Sequence, residues 1–276
     1  MIKIFISVRN RLAITKKCIE ALILHSDIDH RIFIYDNATN HRLKEHFDFF
    51  HELYTRKLIS QVTFTSEEST FNAFSKASTC NFFGLQHEQD PKKDKYDFLM
   101  MLDNDIIVTP GWDTKLKTAW DYVNNKKLKH VKVIGQLPGG IKSKKEEHHI
   151  NKEMIGRVGA LGGSGLWSVR PNFFRVVGYL DLKPLVGADK RHDQQYWRLL
   201  QMSSPGKPYI MGLNQKLGIH CGKVAGSVCN RLTRNRNNKD RLNLIKFEEA
   251  EKRIDAKDFQ TFYDTIVNDK ELIRNW

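Results

Sequence analysis

The chain has 276 residues, enough for one large domain or two small ones with a substantial core. Its 40% apolar and 11% aromatic content excludes a disordered chain, and no apolar run approaches the roughly 18 residues that a bilayer span needs. A formal charge of +13, from 45 basic and 32 acidic residues, points to anionic partners: nucleotides, nucleic acid or an anionic membrane face.

Lys3–Val8 reads as the first strand, and the apolar segment there is too short for a signal peptide, so a cytosolic location is expected. Ala13–Leu24 carries Ile14, Cys18, Ala21 and Leu22 at helical spacing. Arg31–Tyr35 is a second strand ending at Asp36-Asn37, His41–Leu58 a Phe-rich helix, Gln61–Thr65 a third strand and Thr70–Gln86 a third helix. A charged loop, His87–Lys95, leads into the fourth strand, Tyr96–Leu102. This alternation implies an α/β fold with a mostly parallel sheet between helices. Ligands of such sheets bind outside the carboxyl ends of the strands, where Asp36 and Asp103 both lie.

The second half is less regular. Trp112–Asn125 reads as a helix after Pro110-Gly111, and Val131–Gln136 as a short strand. Lys142–Lys152 is a polar run expected to be a mobile loop, and Gly156–Val169 is glycine-rich. Pro171–Val177 and Asp193–Gln201 read as helices, Tyr209–Met211 and Lys216–His220 as short strands. Arg241–Trp276 holds two helical stretches broken near Asp255.

The most informative stretch is Phe98–Val108. Five apolar residues run into Asp103-Asn104-Asp105, three more follow, and Thr109-Pro110-Gly111 closes the segment. Two carboxylates at one strand end repel unless a cation lies between them, and Mg²⁺ binds through one or two carboxylates plus substrate phosphates. A solvated turn is the plainer alternative, since acids are common turn residues. The four cysteines, Cys18, Cys80, Cys221 and Cys229, form no CxxC pair and read as reduced thiols. Basic residues concentrate in two runs, Lys126–Arg157 and Lys223–Lys246, each readable as a solvated loop or an anion-binding surface.

Taken in order, these segments resemble the family 2 glycosyltransferases of the GT-A fold over roughly residues 2–222. Ile6-Ser7-Val8-Arg9-Asn10-Arg11 resembles the opening strand and Asn-Arg motif, and Ile34-Tyr35-Asp36-Asn37-Ala38-Thr39 the Asp-Asn turn of that family. Asp103-Asn104-Asp105 matches its Asp-X-Asp motif. Gly162-Gly163-Ser164-Gly165 through Arg170, with Phe173 and Gly178-Tyr179-Leu180-Asp181, resembles its glycine-rich acceptor segment.

The resemblance implies roles. Ser7, Arg9, Asn10, Lys76, Asp103 and Asn104 meet the nucleotide, with Asp36 on the base edge and Asp103 near the ribose. Asp105, Asp103 and His220 hold a divalent metal, Mn²⁺ or Mg²⁺, with the histidine nitrogen favouring Mn²⁺. Asp193 is the general base for an inverting transfer. His192 stands where the family has an acid, and Asp193 to Arg198 is one residue shorter than its pattern, so Asp189 is the alternative base. Trp167 and Trp197 are readable as sugar-stacking or as core residues, and glycines 162, 163 and 165 as allowing close substrate approach.

The implied activity is transfer from a nucleotide-diphosphate sugar, a UDP-sugar, to an anionic acceptor. That acceptor is a glycan or lipid-linked sugar at a membrane face, or a hydroxymethylated base in nucleic acid, as in a virus-infected cell. The implied division is 1–108 for the donor, 109–222 for the acceptor, and 223–276 as a basic loop and helical C-terminal extension. The rival readings are a nucleotidyltransferase on a related fold and a non-catalytic polyanion-binding module.

Overall fold

A computed structural model of the chain describes residues 1–37, 39, 42–65, 76–136, 146–159, 165–179, 210–221 and 249–268. Strand β1 (Ile2–Val8) is buried at all but one of its positions. It lies between β2 (His30–Asn37) and β4 (Phe98–Asp103), parallel to both, which is why its sequence is nearly continuous in apolar residues instead of alternating. β3 (Gln61–Thr65) adds a parallel edge beyond β2. The intervening helices are α1 (Leu12–His25), α2 (Leu43–Thr55) and α3 (Lys76–Gln89).

After β4 the pattern changes. β5 (Ile106–Val108) leaves the main sheet, and α4 (Trp112–Asn125) follows it. β6 (Val133–Gln136), β7 (Glu146–His149), β8 (Ile155–Gly159), β9 (Leu166–Val169) and β10 (Ile210–Leu213) complete a nine-stranded sheet in the order β3-β2-β1-β4-β9-β6-β10-β8-β7. β9 runs antiparallel to β4 and β6, and β8 antiparallel to β10 and β7; the other seven strands share one direction. β11 (Gly218–His220) pairs antiparallel with β5 as a separate two-stranded ribbon. Among the described residues the remaining α-helices are α5 (Phe173–Val177), α6 (residues 249–255) and α7 (Phe259–Asn268).

Alternation along the strands divides the core in two. Ile2, Ile4 and Ile6 of β1 and Phe98, Met100 and Leu102 of β4 face α1 and α4, whereas Phe5, Leu99 and Met101 face α3 and α5. Ile254, Phe262 and Ile266 of α6 and α7 join the first of these clusters. Helix α1 has no capping side chain of its own, and Glu251 of α6 accepts the Ala13 N–H at 3.2 Å in its place. That carboxylate meets both an orphan amide and the positive end of the helix dipole. Arg42 holds the same segment, reaching Asp255 at 2.7 Å and Glu251 at 3.4 Å.

Several sequence expectations shift. The polar run Lys142–Lys152 contains strand β7, whose Glu147 pairs across the ladder with Arg157 at 3.0 Å. A charged edge strand reads as a loop because its side chains are those that keep an edge from pairing further. The glycine-rich stretch contributes strands β8 and β9. Helix α3 continues to Gln89, beyond the expected end at Gln86. Residues 66–75, 180–209 and 222–248 lie outside the described residues, and with them the predicted helix over Asp193–Gln201 and Cys229. Cys18, Cys80 and Cys221 are buried and form no disulfide among the described residues.

His87 shows how α3 is fastened. Its ring is fully buried, and Nε2 lies 2.8 Å from the Pro171 carbonyl, so Nε2 carries the proton and donates it. Burial, reinforced by the Lys3 charge, pushes its pKa down from 6.5 to about 4. The unfolded chain therefore takes up this proton first as pH falls. Stability is full above pH 6.5 and declines toward pH 4, by on the order of 2–3 kcal/mol. Urea unfolding across that range is expected to show a shallower pH dependence in His87→Gln than in the wild type.

Candidate active site

The ends of β1, β2 and β4 are level. Ser7 sits opposite Tyr35 and Asp103, and Val8 opposite Asp36. The chain leaving β1 turns sharply: Asn10 and Arg11 both adopt left-handed backbone conformations, with φ of 52° and 62°. Two successive non-glycine residues in this region are costly and persist only where neighbours enforce them. Here the Asn10 N–H donates to Thr39 Oγ at 2.9 Å, and the Thr39 N–H donates to Asp36 Oδ1 at 2.9 Å. The turn sends Arg11 back across the sheet end, where its Nη1 donates to Asp105 Oδ2 at 2.9 Å. Both partners are buried, at 4% and 5% exposure.

The Asp103-Asn104-Asp105 turn is held at each residue. The Asp103 N–H donates to the Gly165 carbonyl at 2.9 Å. Asn104 Nδ2 donates to Thr15 Oγ at 2.8 Å, and that hydroxyl donates to the Arg11 carbonyl at 2.9 Å. The Asp105 carbonyl accepts the Cys221 N–H at 2.7 Å. Pairing of His220 with Ile106 in the β5–β11 ribbon then brings His220 Nε2 to 3.2 Å from Asp105 Oδ2. Gly165 packs closely: a Cβ there would lie 2.8 Å from Ile106 Cδ1, so that side chain would have to shift, and 3.5 Å from Asp103 Oδ2.

The electrostatics follow from this packing. Burial opposes ionisation of Asp105, but the Arg11 charge and the His220 contact outweigh it and hold the carboxyl well below the usual carboxylate range. Burial likewise disfavours the His220 imidazolium, yet Asp105 and, more weakly, Asp103 raise its pKa overall. His220 is the exposed member of the group, its side chain 43% accessible, so the cluster opens to solvent on that side.

Asp36 faces inward. It is 1% exposed, with Oδ2 lying 3.4 Å from Nδ1 of the fully buried His46. Its carboxylate organises the turn that carries Thr39 and Asn10. The half-buried Ser7, Arg9 and Asn10 are the more open residues at this sheet end. Lys76 is the first residue of α3. Asp189, His192, Asp193, Trp197, Arg198, Gly162 and Gly163 lie outside the described residues. Trp167 is a core residue, 2% exposed and edge-on to Phe173.

Arg11, Thr15, Thr39 and His46 hold the site and were not singled out as site residues from sequence. His46 left a signal, since it shares a helical face with Phe50 and Leu53, both buried. Arg11 left none beyond its place in a motif, because nothing local tells which carboxylate a loop arginine will reach.

No protein-family model matches the sequence, and no curated protein matches it. Solved structures do. GalNAc-T7 with UDP, GalNAc and Mn²⁺ superposes with a TM-score of 0.55 at 14% identity, over 97% of this chain and 56% of that one. S. aureus TarS 1–349 gives 0.51 at 10% identity, over 90% of this chain and 71% of that fragment. A longer TarS structure gives 0.52 at 12% identity, and the chain spans only 43% of it. The fold is GT-A-like. Identities this low speak to the fold and not to the activity, and the chain spans little more than half of GalNAc-T7.

A divalent metal is the group that a GT-A-like fold and an Asp-X-Asp motif imply, and the residues fit one. Two ligands at right angles on an octahedral ion, each about 2.1 Å from it, stand about 3 Å apart. Asp105 Oδ2 and His220 Nε2 stand 3.2 Å apart. Among the described residues no three His, Cys, Asp or Glu side chains converge on one point. Asp105 and His220 could thus supply two ligands, leaving other positions to phosphate oxygens and water, an ordinary arrangement for such ions. Asp105 Oδ2 is also the oxygen that Arg11 holds, so guanidinium and metal would compete for its lone pairs.

Proposed function

We propose that the chain transfers a sugar from a nucleotide-diphosphate donor, a UDP-sugar, to an acceptor hydroxyl. The observation that carries this reading is the ionised, buried Asp105 with His220 at its oxygen, beside Asp103 at the carboxyl end of the parallel strands. The GT-A-like fold supports it, as does the presence of UDP, GalNAc and Mn²⁺ in the GalNAc-T7 structure. The bound metal supplies Lewis-acid stabilisation of the charge that builds on the departing diphosphate.

The chain's own residues divide the remaining work. Asp105 and His220 hold the metal, with Asp103 directed to it and to the ribose. Ser7, Arg9, Asn10, Asn104 and Lys76 position the nucleotide, and Asp36 keeps the turn under it in shape. Asp193, or Asp189, takes the acceptor proton, and direct displacement inverts the anomeric centre. Residues 1–108 serve the donor and 109–222 the acceptor, with 223–276 a basic loop and helical C-terminal extension whose Glu251 and Asp255 brace the donor half. The net positive charge suits an anionic acceptor, either a glycan or lipid-linked sugar at a membrane face or a hydroxymethylated base in nucleic acid. Among the described residues no helix is long and apolar enough to cross a membrane.

A screen of UDP-, GDP- and TDP-sugars with Mn²⁺ tests the reading by slow donor hydrolysis, with and without DNA. Hydrolysis of a UDP-sugar that stops on chelation is the expected result. Absence of metal-dependent turnover with every donor would falsify it.

A further inference from the structure

A second polar site lies at the other end of the sheet. Lys132 precedes β6 and Arg170 follows β9, and the register that sets Val133 opposite Val169 holds the two cations side by side. They sit at the start of β4, whereas Asp103 is at its end, a strand length of about 17 Å away. The segment leaving α4 adds Lys127 and Lys129: Lys127 adopts a left-handed turn, φ 54°, and its carbonyl accepts the Lys129 N–H at 2.8 Å. These four cations line a pocket of about 340 Å³ whose floor includes Val123 and Phe173.

The arrangement is costly as it stands. Arg170 is held by Asn124 Oδ1 at 2.6 Å and by the Trp120 ring, 5.1 Å from its Cζ. Burial lowers its pKa, and burial together with the Arg170 charge lowers that of Lys132. No carboxylate among the described residues offsets either charge. Like charges held together on a half-buried, partly apolar surface favour an anion that neutralises them.

We propose that this pocket binds a phosphate group borne on a small apolar body. The volume is at the lower end of small-molecule sites, with room for a phosphate and a short attachment. Val176 in the lining, 45% exposed, offers an apolar surface that suits the glycerol and first methylenes of a phospholipid headgroup. Single-stranded nucleic acid fits less well, since it wants a long basic track with exposed rings to stack on, and the aromatic residue of the lining, Phe173, is 2% exposed. The site stands whether or not the donor reading holds.

The full-length chain is compared with its Lys127→Gln/Lys129→Gln/Lys132→Gln variant and with Arg170→Gln. Because Arg170 packs on Trp120, the lysine variant is the one that leaves the core intact. Inorganic phosphate and pyrophosphate binding is measured by ³¹P NMR, and flotation with vesicles of phosphatidylcholine alone or with phosphatidic acid added. Binding is expected to weaken at least ~10-fold in the lysine variant, with donor hydrolysis unchanged. Phosphate binding together with flotation only on phosphatidic acid vesicles assigns a lipid headgroup; phosphate binding without flotation assigns a free phosphate. Binding that the variants leave unaltered, binding of duplex DNA alone, or no binding to any probe overturns the proposal.

Discussion

Asp105→Asn is expected to lower metal-dependent donor turnover by roughly 10³-fold while the protein still folds. The magnitude is that of removing a ligand whose ion stabilises developing charge by several kcal/mol, each 1.36 kcal/mol being tenfold in rate. Asparagine keeps an oxygen for the Arg11 Nη1, which lies 2.9 Å from the native carboxylate, so the buried guanidinium retains a hydrogen bond although it loses its counter-charge. Turnover is therefore to be measured beside a thermal melt. A folded variant that hydrolyses donor at the wild-type rate, or whose activity no longer responds to chelation yet is undiminished, sinks the metal reading. His220→Ala is a milder version, because its ring is the solvent-facing partner of the pair.

Removing the charge from the other side has the opposite dependence on metal. Arg11→Met leaves Asp105 buried without its cation, and breaking a buried ion pair in this way costs about 3–5 kcal/mol. In a domain of this size that is a fall in Tm on the order of 10 °C. The same substitution frees an Asp105 lone pair, so added Mn²⁺ is expected to bind more tightly and to recover much of the lost Tm. Calorimetric titration with Mn²⁺ and melts with and without the ion check both halves. Equal Mn²⁺ shifts in wild type and variant would show that Arg11 and the ion do not share an oxygen. With Arg11 gone only the His220 contact opposes burial, and the Asp105 pKa rises, so the destabilisation is expected to shrink at acid pH, where the carboxyl takes up its proton.

The C-terminal helices bear on the same end of the sheet. Glu251 caps α1 through Ala13, two residues from Arg11, and Arg42 ties Glu251 and Asp255 to the start of α2. His46 of α2 lies against Asp36. Helix α6 thus braces two elements that carry site residues, an arrangement that composition and periodicity do not foretell.

What was legible in the chain itself was local. The apolar runs of β1 and β4 announced buried parallel strands, because a strand covered on both faces must be apolar at nearly every position. The order of strands and helices then placed Asp36 and Asp103 at the same end of the sheet, as the registers confirm. The mixed half was harder. β7 carries Glu146, Glu147, His148 and His149, the residues of a protected edge, so its sequence looks like a loop. The apolar residues after Asp105 form β5, which leaves the main sheet because its partner is β11, more than a hundred residues later.

The tertiary structure alone decided which charges meet. Periodicity reports the face a residue occupies, but an ion pair between Arg11 and Asp105, or a contact between Asp105 and His220, depends on loops closed across 94 and 115 positions. It likewise decided that Lys132 and Arg170 stand together at the far end. Two runs of basic residues look alike as text, and only sheet register shows which cations share one pocket.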